Sequence, residues 1–165
     1  MNRPETLTAE ALTPETLTVV TLTLGSQMLA LPASCLREIL DPLPLTRVPG
    51  SGAFAPSVVN VRGSVVPLAE LRTALGIPDG QSDTLKRVMV LDVTIDGELV
   101  TVAVTADAVH EVTILQTKDI EHVPTSVTAW PADYVQGLYK GPNGFVLLPD
   151  LSTIFAAQCA KMAAA

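Results

Sequence analysis

The sequence predicts an all-β protein with short helices, arranged as two small barrels that pack around a groove. Three observations lead to this fold class: short β-branched segments separated by Gly and Pro turns, a core of aliphatic residues with only 4% aromatics, and an internal repeat. At 165 residues the chain is long enough to bury a core, either in one moderate domain or in two small barrels.

A hairpin, a helical turn and a further strand are predicted for residues 16–40. Residues 16–24 alternate in polarity and are rich in β-branched side chains, which is typical of a strand. A turn at residues 25–27 and an apolar return strand complete the hairpin. Residues 33–40 then predict a short helical turn that passes into a strand, with Leu36 facing inward and Glu38 facing solvent.

Residues 58–72 carry the most informative pattern in the chain. They predict a strand, a tight turn at Arg62-Gly63-Ser64, a second strand, and a helix that opens near Pro67 and ends at Gly76. The turn places Arg62 among apolar and small neighbours. A guanidinium in such surroundings needs a carboxylate partner, on the same chain or on another protein.

The second half of the chain repeats the first. Three blocks match in the same order: residues 31–39 with 104–112, 46–49 with 121–124, and 65–75 with 145–155. Each half therefore contains about five short strands and one terminal helix. Pro142 stands in the second hairpin where Arg62 stands in the first, so the fold itself does not require an arginine at that turn.

The repeat predicts a single domain made of two subdomains. Its boundaries are a flexible tail at 1–15, one domain at 16–156 with subdomains at about 16–76 and 86–156, a linker at about 77–85, and a carboxy-terminal tail at 157–165. A groove is expected where the two barrels meet.

Composition argues against several classes of partner. The net charge of −7 and the isoelectric point near 4.6 disfavour nucleic acid and anionic membrane surfaces. No segment approaches the ~18–20 apolar residues of a membrane helix, and the amino terminus lacks the apolar run of a signal peptide. We therefore expect a cytoplasmic protein with no direct membrane insertion.

The residue types needed for catalysis or metal binding do not form a recognisable pattern. His110 and His122 lack metal-ligand spacing, and Cys35 and Cys159 are far apart, as expected for free thiols in a reducing compartment. The carboxylates show no apolar enclosure of the kind that raises a carboxyl pKa for acid catalysis. The sequence predicts a binding protein that is not an enzyme and has no cofactor and no metal.

Glu38 and Arg62 are the two charges that best indicate a binding surface. Each lies beside strand-like apolar sequence, and a close approach would form a charge-assisted hydrogen bond. Spacing alone leaves two interpretations open. The two charges form either a contact surface for another protein or an ordinary surface ion pair worth at most about 1 kcal/mol.

A set of short segments occurs in an order that is found in one known family. The most specific combination is Asn60-Val61-Arg62-Gly63 followed by Val66-Pro67-Leu68-Ala69-Glu70-Leu71-Arg72, and it is accompanied by segments 22–25, 29–32, 36–40, 46–49, 134–138 and 146–151. This order resembles the CheW family of chemotaxis coupling proteins. The resemblance covers roughly residues 17–156 and implies two SH3-like five-stranded barrels.

The resemblance also implies a function and a set of contact residues. It implies a non-enzymatic adaptor that joins the cytoplasmic tips of methyl-accepting chemoreceptors to the histidine kinase CheA, with other CheW-like proteins as further partners. The contact residues that follow by residue match are Leu36, Glu38, Val58, Asn60, Arg62 and Gly63.

Departures from the family pattern leave alternatives open. Ser57 stands where the family usually has Gly, Val61 replaces the usual Leu, and residues 105–109 differ from the usual block. A pilus or other non-flagellar chemosensory pathway is therefore an alternative. Two further alternatives are a purely array-forming protein and a small-ligand-binding β-barrel whose groove is lined by histidines and carboxylates.

Overall fold

The computed structural model describes residues 15–77, 86–123 and 131–164, with side chains described up to Cys159 in the last range. Within these ranges the strands are β1 (Thr16–Leu24), β2 (Gln27–Pro32), β3 (Leu36–Leu40), β4 (Leu45–Arg47), β5 (Ser57–Val61), β6 (Ser64–Ala69), β7 (Arg87–Ile95), β8 (Glu98–Ala106), β9 (Ala108–Gln116), β10 (Val135–Gly141) and β11 (Gly144–Pro149). The helices are α1 (Leu71–Leu75) and α2 (Leu151–Ala164), and 3-10 turns lie at Ala33–Cys35, Thr117–Asp119 and Ala132–Tyr134. The predicted class, all-β with short helices, is confirmed.

The strands form two sheets. Sheet one has the order β10-β11-β2-β1-β9, and sheet two has the order β3-β7-β8-β6-β5-β4. Neighbouring strands in the described part of the chain are antiparallel except at two places, where β11 runs parallel to β2 and β6 runs parallel to β8. Both parallel contacts join a strand of the first half to a strand of the second half.

The sheets do not follow the predicted division into subdomains at 16–76 and 86–156. The hairpin β1–β2 pairs with β9 and β11 of the second half, and the corresponding hairpin β7–β8 pairs with β3 and β6 of the first half. The two halves thus exchange their first hairpins. Local sequence patterns mark hairpins but do not indicate which hairpins pair with each other, which is why the predicted boundaries differ from the sheets.

The exchanged hairpins are buried on both faces. In β1, Val20 belongs to a central core that lies between the sheets, whereas Val19 belongs to a smaller apolar cluster that sheet one encloses on its other face. In β7, Leu91 faces the central core and Val90 the interior of sheet two. Because successive side chains of a strand point to opposite faces, burial on both faces requires apolar residues at consecutive positions, as at residues 19–20 of β1 and 88–91 of β7. We call sheet one with its interior barrel one, and sheet two with its interior barrel two.

Helix α1 follows β6 and closes the first half of the repeat. Leu71 and Leu75 are buried in the central core, and Gly76 ends the helix with a left-handed φ of 65°, as predicted. The helix begins at Leu71 and not near Pro67, because Pro67 belongs to β6, where it lies opposite Val58.

Helix α2 extends through most of the segment that was predicted to be a carboxy-terminal tail. Residues 151–164 contain no Gly or Pro and several alanines, which favour helix, so the helix continues to Ala164. Phe155 anchors it in the central core by meeting Phe54 edge to face, with ring centroids 5.1 Å apart. The tail predicted at 1–15 and the linker predicted at 77–85 lie outside the described residues except for Glu15 and Ile77.

Barrel one closes where the chain after β9 reaches β10. Glu121 and Leu138 exchange two backbone hydrogen bonds of 2.8 Å at this point. Gly137 permits the approach, because a Cβ atom there would lie 2.6 Å from Ile120 Cγ2 and 2.7 Å from the Glu121 carbonyl oxygen. The closure therefore depends on the absence of a side chain at position 137.

We expect Gly137→Ala to lower the free energy of unfolding by about 1–3 kcal/mol, because the added methyl group forces β10 away from the closing segment. Gln136→Ala, one position earlier on the same strand, is the matched control. Gln136 is exposed, so its replacement should change stability by less than about 0.5 kcal/mol. Urea unfolding of the three proteins measures both effects, and equal stability of Gly137→Ala and wild type would contradict the role given to Gly137.

Candidate protein-binding surface

The β5–β6 hairpin presents Arg62 in an unusual backbone conformation. Val61 pairs with Ser64, so Arg62 and Gly63 are the two central residues of the turn, with φ values of 52° and 89°. Two-residue hairpin turns with positive φ at both centres favour Asn-Gly, because most side chains are strained there. The left-handed conformation of Arg62 costs about 1–2 kcal/mol.

An ion pair joins Arg62 to Glu38 of β3. Arg62 Nη2 donates to Glu38 Oε1 at 2.7 Å, and Nε donates to Oε2 at 3.4 Å. In sheet two, β7 and β8 lie between β3 and β6. The ion pair therefore joins the edge strand β3 to the β5–β6 hairpin, two strands away. The Arg62 side chain remains 76% exposed and that of Glu38 27%. The guanidinium is thus oriented by two contacts while most of it faces solvent.

The electrostatics of the pair are mutual. The hydrogen bond from Arg62 lowers the pKa of Glu38 below its ordinary value, with smaller effects from the positive charges of Arg62 and Arg37. The same bond raises the pKa of Arg62. Both groups are therefore charged near neutral pH, and the pair stays intact there.

A hydrogen bond joins the Asn60 side chain to the backbone of the turn. Gly63 donates its backbone N–H to Asn60 Oδ1 at 2.8 Å, which ties the second central residue of the turn to strand β5. Asn60 is itself exposed and lies opposite Val65 of β6. Val65 is 70% exposed, so an apolar side chain flanks the polar turn on the outer face of the hairpin.

A cleft of about 420 Å³ lies beside the ion pair, and Glu38 and Arg62 form part of its lining. Its apolar wall comes from Val61, Val66 and Val90, which belong to the interior of barrel two. Its polar rim includes Arg37, which donates to Asp92 and to Thr101 at 3.4 Å. An apolar wall with a charged rim suits a protein contact, since apolar side chains supply affinity and charges fix the orientation of the partner.

The structure brings together four of the six predicted contact residues. Glu38, Asn60, Arg62 and Gly63 are connected by the hydrogen bonds described above. Val58 is half-buried and shares the outer face of β5 with Asn60, two positions away. Leu36 lies apart from this cluster, because it pairs with Leu91 and packs against the central core.

Seven residues that line the cleft were not predicted as contact residues: Arg37, Ser64, Val65 and Thr101, and the apolar wall residues Val61, Val66 and Val90. Val65 had a signal in the sequence, because a two-residue turn at Arg62-Gly63 sets the register that places Val65 opposite Asn60. Arg37 and Thr101 had none, because their contact depends on the pairing of β3 and β8 with β7.

The alternative of a ligand-binding or catalytic groove gains no support from the described residues. His110 is exposed and shares a hydrogen bond with Thr23, and His122 is exposed as well. Burial raises the pKa of Cys35 to about 11, so its thiol is protonated and unreactive near neutral pH. Among the described residues, no cluster of three or more His, Cys, Asp and Glu is placed to hold a metal ion, and no described helix is long and apolar enough to cross a membrane.

Comparison with known proteins identifies the family. The family model described as the CheW-like domain matches residues 18–159. The chain belongs to this family. It is 23% identical over 135 residues to the chemotaxis protein CheW of Rhizobium meliloti, covering 82% of this chain and 84% of that protein. It is 18% identical over 135 residues to the chemotaxis protein CheW of Treponema pallidum, covering 82% of this chain and 79% of the relative.

The fold of this CheW-like chain also matches a solved structure. The scaffolding protein TtCheW from Thermoanaerobacter tengcongensis superposes with a TM-score of 0.70 at 24% identity, covering 84% of this chain and 92% of that chain. The two SH3-like subdomains that the resemblance implied are confirmed. A CheW-family chain is a scaffold or adaptor in chemotaxis and not an enzyme. The six predicted contact residues stay predictions.

We expect Arg62→Gln to raise the pKa of Glu38 towards its ordinary value, because the variant removes the hydrogen bond that lowers it. Arg37→Gln removes one positive charge from the same cleft but not that bond, so it should raise the pKa by less. Since the folded pKa of Glu38 is lowered, the pair stabilises the fold above the unfolded pKa and this contribution is lost as pH falls through the folded pKa. A carbon-detected NMR titration of the Glu38 carboxyl group distinguishes the variants, and equal shifts in both would contradict the dominant role of the Arg62 bond.

Proposed function

We propose that this CheW-like chain couples the cytoplasmic tips of chemoreceptors to the histidine kinase CheA, and that the surface around Arg62 and Glu38 makes one of the contacts. The chain would act in the cytoplasm at membrane-associated receptor arrays, with other CheW-like proteins as further partners. Support at the level of the family comes from the CheW-like domain match and from the scaffolding relative.

The observation that carries the contact surface is the conformation of Arg62. A turn built for stability alone would hold Asn, Asp or Gly where Arg62 has a φ of 52°, as the hairpin β7–β8 does with Asp96-Gly97 at φ values of 50° and 84°. The arginine therefore costs stability at a position where other residues serve the turn. Recognition of another protein gives a reason for its presence, since arginine is enriched among residues that dominate interface energies.

The ion pair prepares Arg62 for such a contact. Glu38 holds the guanidinium through two nitrogen atoms, which reduces the conformational freedom that binding would otherwise have to remove. The exposed Val65 and the apolar wall of the cleft offer area for burial around the charge. The resulting surface resembles an interface core with an apolar centre and a charge that fixes orientation.

The test uses variants that keep the turn but change the charge. Arg62→Asn suits the left-handed conformation and should fold at least as stably as wild type, yet it should bind receptor-containing membranes or CheA about five- to thirtyfold more weakly, as expected for the loss of about 1–2 kcal/mol at an interface. Co-sedimentation with each partner and receptor-coupled kinase activity are the measurements. Lys140→Gln, which removes an exposed cation from the hairpin β10–β11, is the matched control.

A charge exchange separates recognition from a merely structural ion pair. The double variant Glu38→Arg with Arg62→Glu retains opposite charges across the same gap. If the pair only stabilises the barrel, the double variant should restore binding and kinase coupling that the single variants lose. We expect it to fold but to remain defective, because the partner meets the wrong charge. Wild-type binding and coupling in both Arg62→Asn and Glu38→Gln would show that the assigned surface is wrong.

A further inference from the structure

We propose that Asn60 is a positioning residue that acts on partner binding through Arg62 and does not itself need to touch the partner. This inference rests on the proposed function of the Arg62 surface. It gives Asn60 a different role from that of a contact residue, which the family resemblance implied for it.

The first support is the hydrogen bond that Asn60 accepts. In a two-residue hairpin turn the flanking pair, here Val61 and Ser64, forms the strand ladder, and the amide of the second central residue points out of that ladder. Gly63 donates this amide to Asn60 Oδ1 at 2.8 Å. The bond fixes the peptide between Arg62 and Gly63, and therefore the direction in which the Arg62 side chain leaves the backbone.

The second support is the length of the arginine side chain. The guanidinium lies at the far end of a long, flexible side chain, so a small rotation of the turn displaces it strongly. Its contact with Glu38 Oε1 is short, at 2.7 Å, and depends on that direction. An unrestrained turn would relax the left-handed strain at Arg62 and weaken this contact.

The third support comes from the repeat within the chain. The hairpin β10–β11 has the same turn length, with Gly141 paired to Gly144. There Lys140 occupies the position of Asn60, and Pro142 that of Arg62. A lysine side chain has no acceptor atom. Pro142 also has the negative φ of proline, unlike Arg62. The left-handed turn, the acceptor and the arginine thus occur together in one hairpin, and none of the three occurs in the other.

The direct test needs no partner. In Asn60→Ala, the Gly63 amide should exchange with solvent roughly two- to tenfold faster, as expected for the loss of one hydrogen bond, and the pKa of Glu38 should move upward towards its ordinary value. Asn60→Asp keeps an acceptor oxygen and should preserve the protection of the Gly63 amide. Unchanged amide exchange and an unchanged Glu38 titration in Asn60→Ala would overturn the positioning role, whatever the partner assays show.

The partner-dependent test is a double-mutant cycle on the co-sedimentation assay. Asn60→Ala should weaken binding in the wild-type background and have almost no further effect in the Arg62→Asn background, because its effect passes through Arg62. Asn60→Asp should bind more tightly than Asn60→Ala. An equal loss in both backgrounds would show that Asn60 touches the partner directly and would overturn the proposal. If Arg62→Asn alone binds as wild type, the proposed function fails while the exchange and titration results still decide the role of Asn60.

Discussion

The exchange of the first hairpins between the two halves is the constraint on which the rest of the structure depends. Strands β1, β2, β7 and β8 carry apolar side chains on both faces, so each must lie between a barrel interior and the central core. A half of the chain taken alone would retain its own first hairpin without the strands that cover it. The two barrels therefore form a single cooperative unit, and the relative position of their surfaces is set by the shared core.

Because the shared core supplies the stability, the surface of barrel two around Arg62 and Glu38 is available for binding another protein. The stability of the fold comes from buried aliphatic side chains, whereas Glu38 and Arg62 form an ion pair between exposed groups, a class of interaction that contributes little to stability. The strain at Arg62, about 1–2 kcal/mol, is at least as large as the stability of at most about 1 kcal/mol that such a pair supplies. Of the two interpretations that spacing left open, the ordinary surface ion pair accounts poorly for a strained arginine. A contact residue accounts for it better.

The parts of this fold that could be predicted from sequence are those that depend on neighbours along the chain. The hairpin at Arg62-Gly63 and the helix end at Gly76 follow from local turn and capping preferences. The parallel contacts of β2 with β11 and of β6 with β8 join segments far apart in sequence, and alternation of side chains does not reveal them. For that reason the predicted division at about residues 77–85 does not indicate which hairpins pair with each other.

The candidate site also contains residues whose proximity follows from local sequence and residues whose position depends on the pairing of distant strands. Asn60, Arg62 and Gly63 lie in one hairpin, so their proximity follows from its register. Glu38 was linked to Arg62 by chemical complementarity, whereas its actual position depends on the pairing of β3 with β7. Leu36 was grouped with them but lies elsewhere, because a register shift between Leu36 and Glu38 turns the former towards the central core and the latter towards Val90. An irregularity of one residue in a strand cannot be read from composition or periodicity.

The two barrels differ at the positions that the repeat relates to Glu38 and Arg62. The repeat places Glu111 where Glu38 stands in barrel two, but Pro142 replaces the arginine that would pair with it. Glu111 instead lies near Tyr139, whose pKa is raised by burial and, to a smaller degree, by that carboxylate. Barrel two therefore exposes an oriented cation at this position, whereas barrel one holds a tyrosine that is only 7% exposed. The repeat thus relates two surfaces of different chemistry, and a protein that recognised the charge of Arg62 would find no equivalent charge at Pro142 in barrel one.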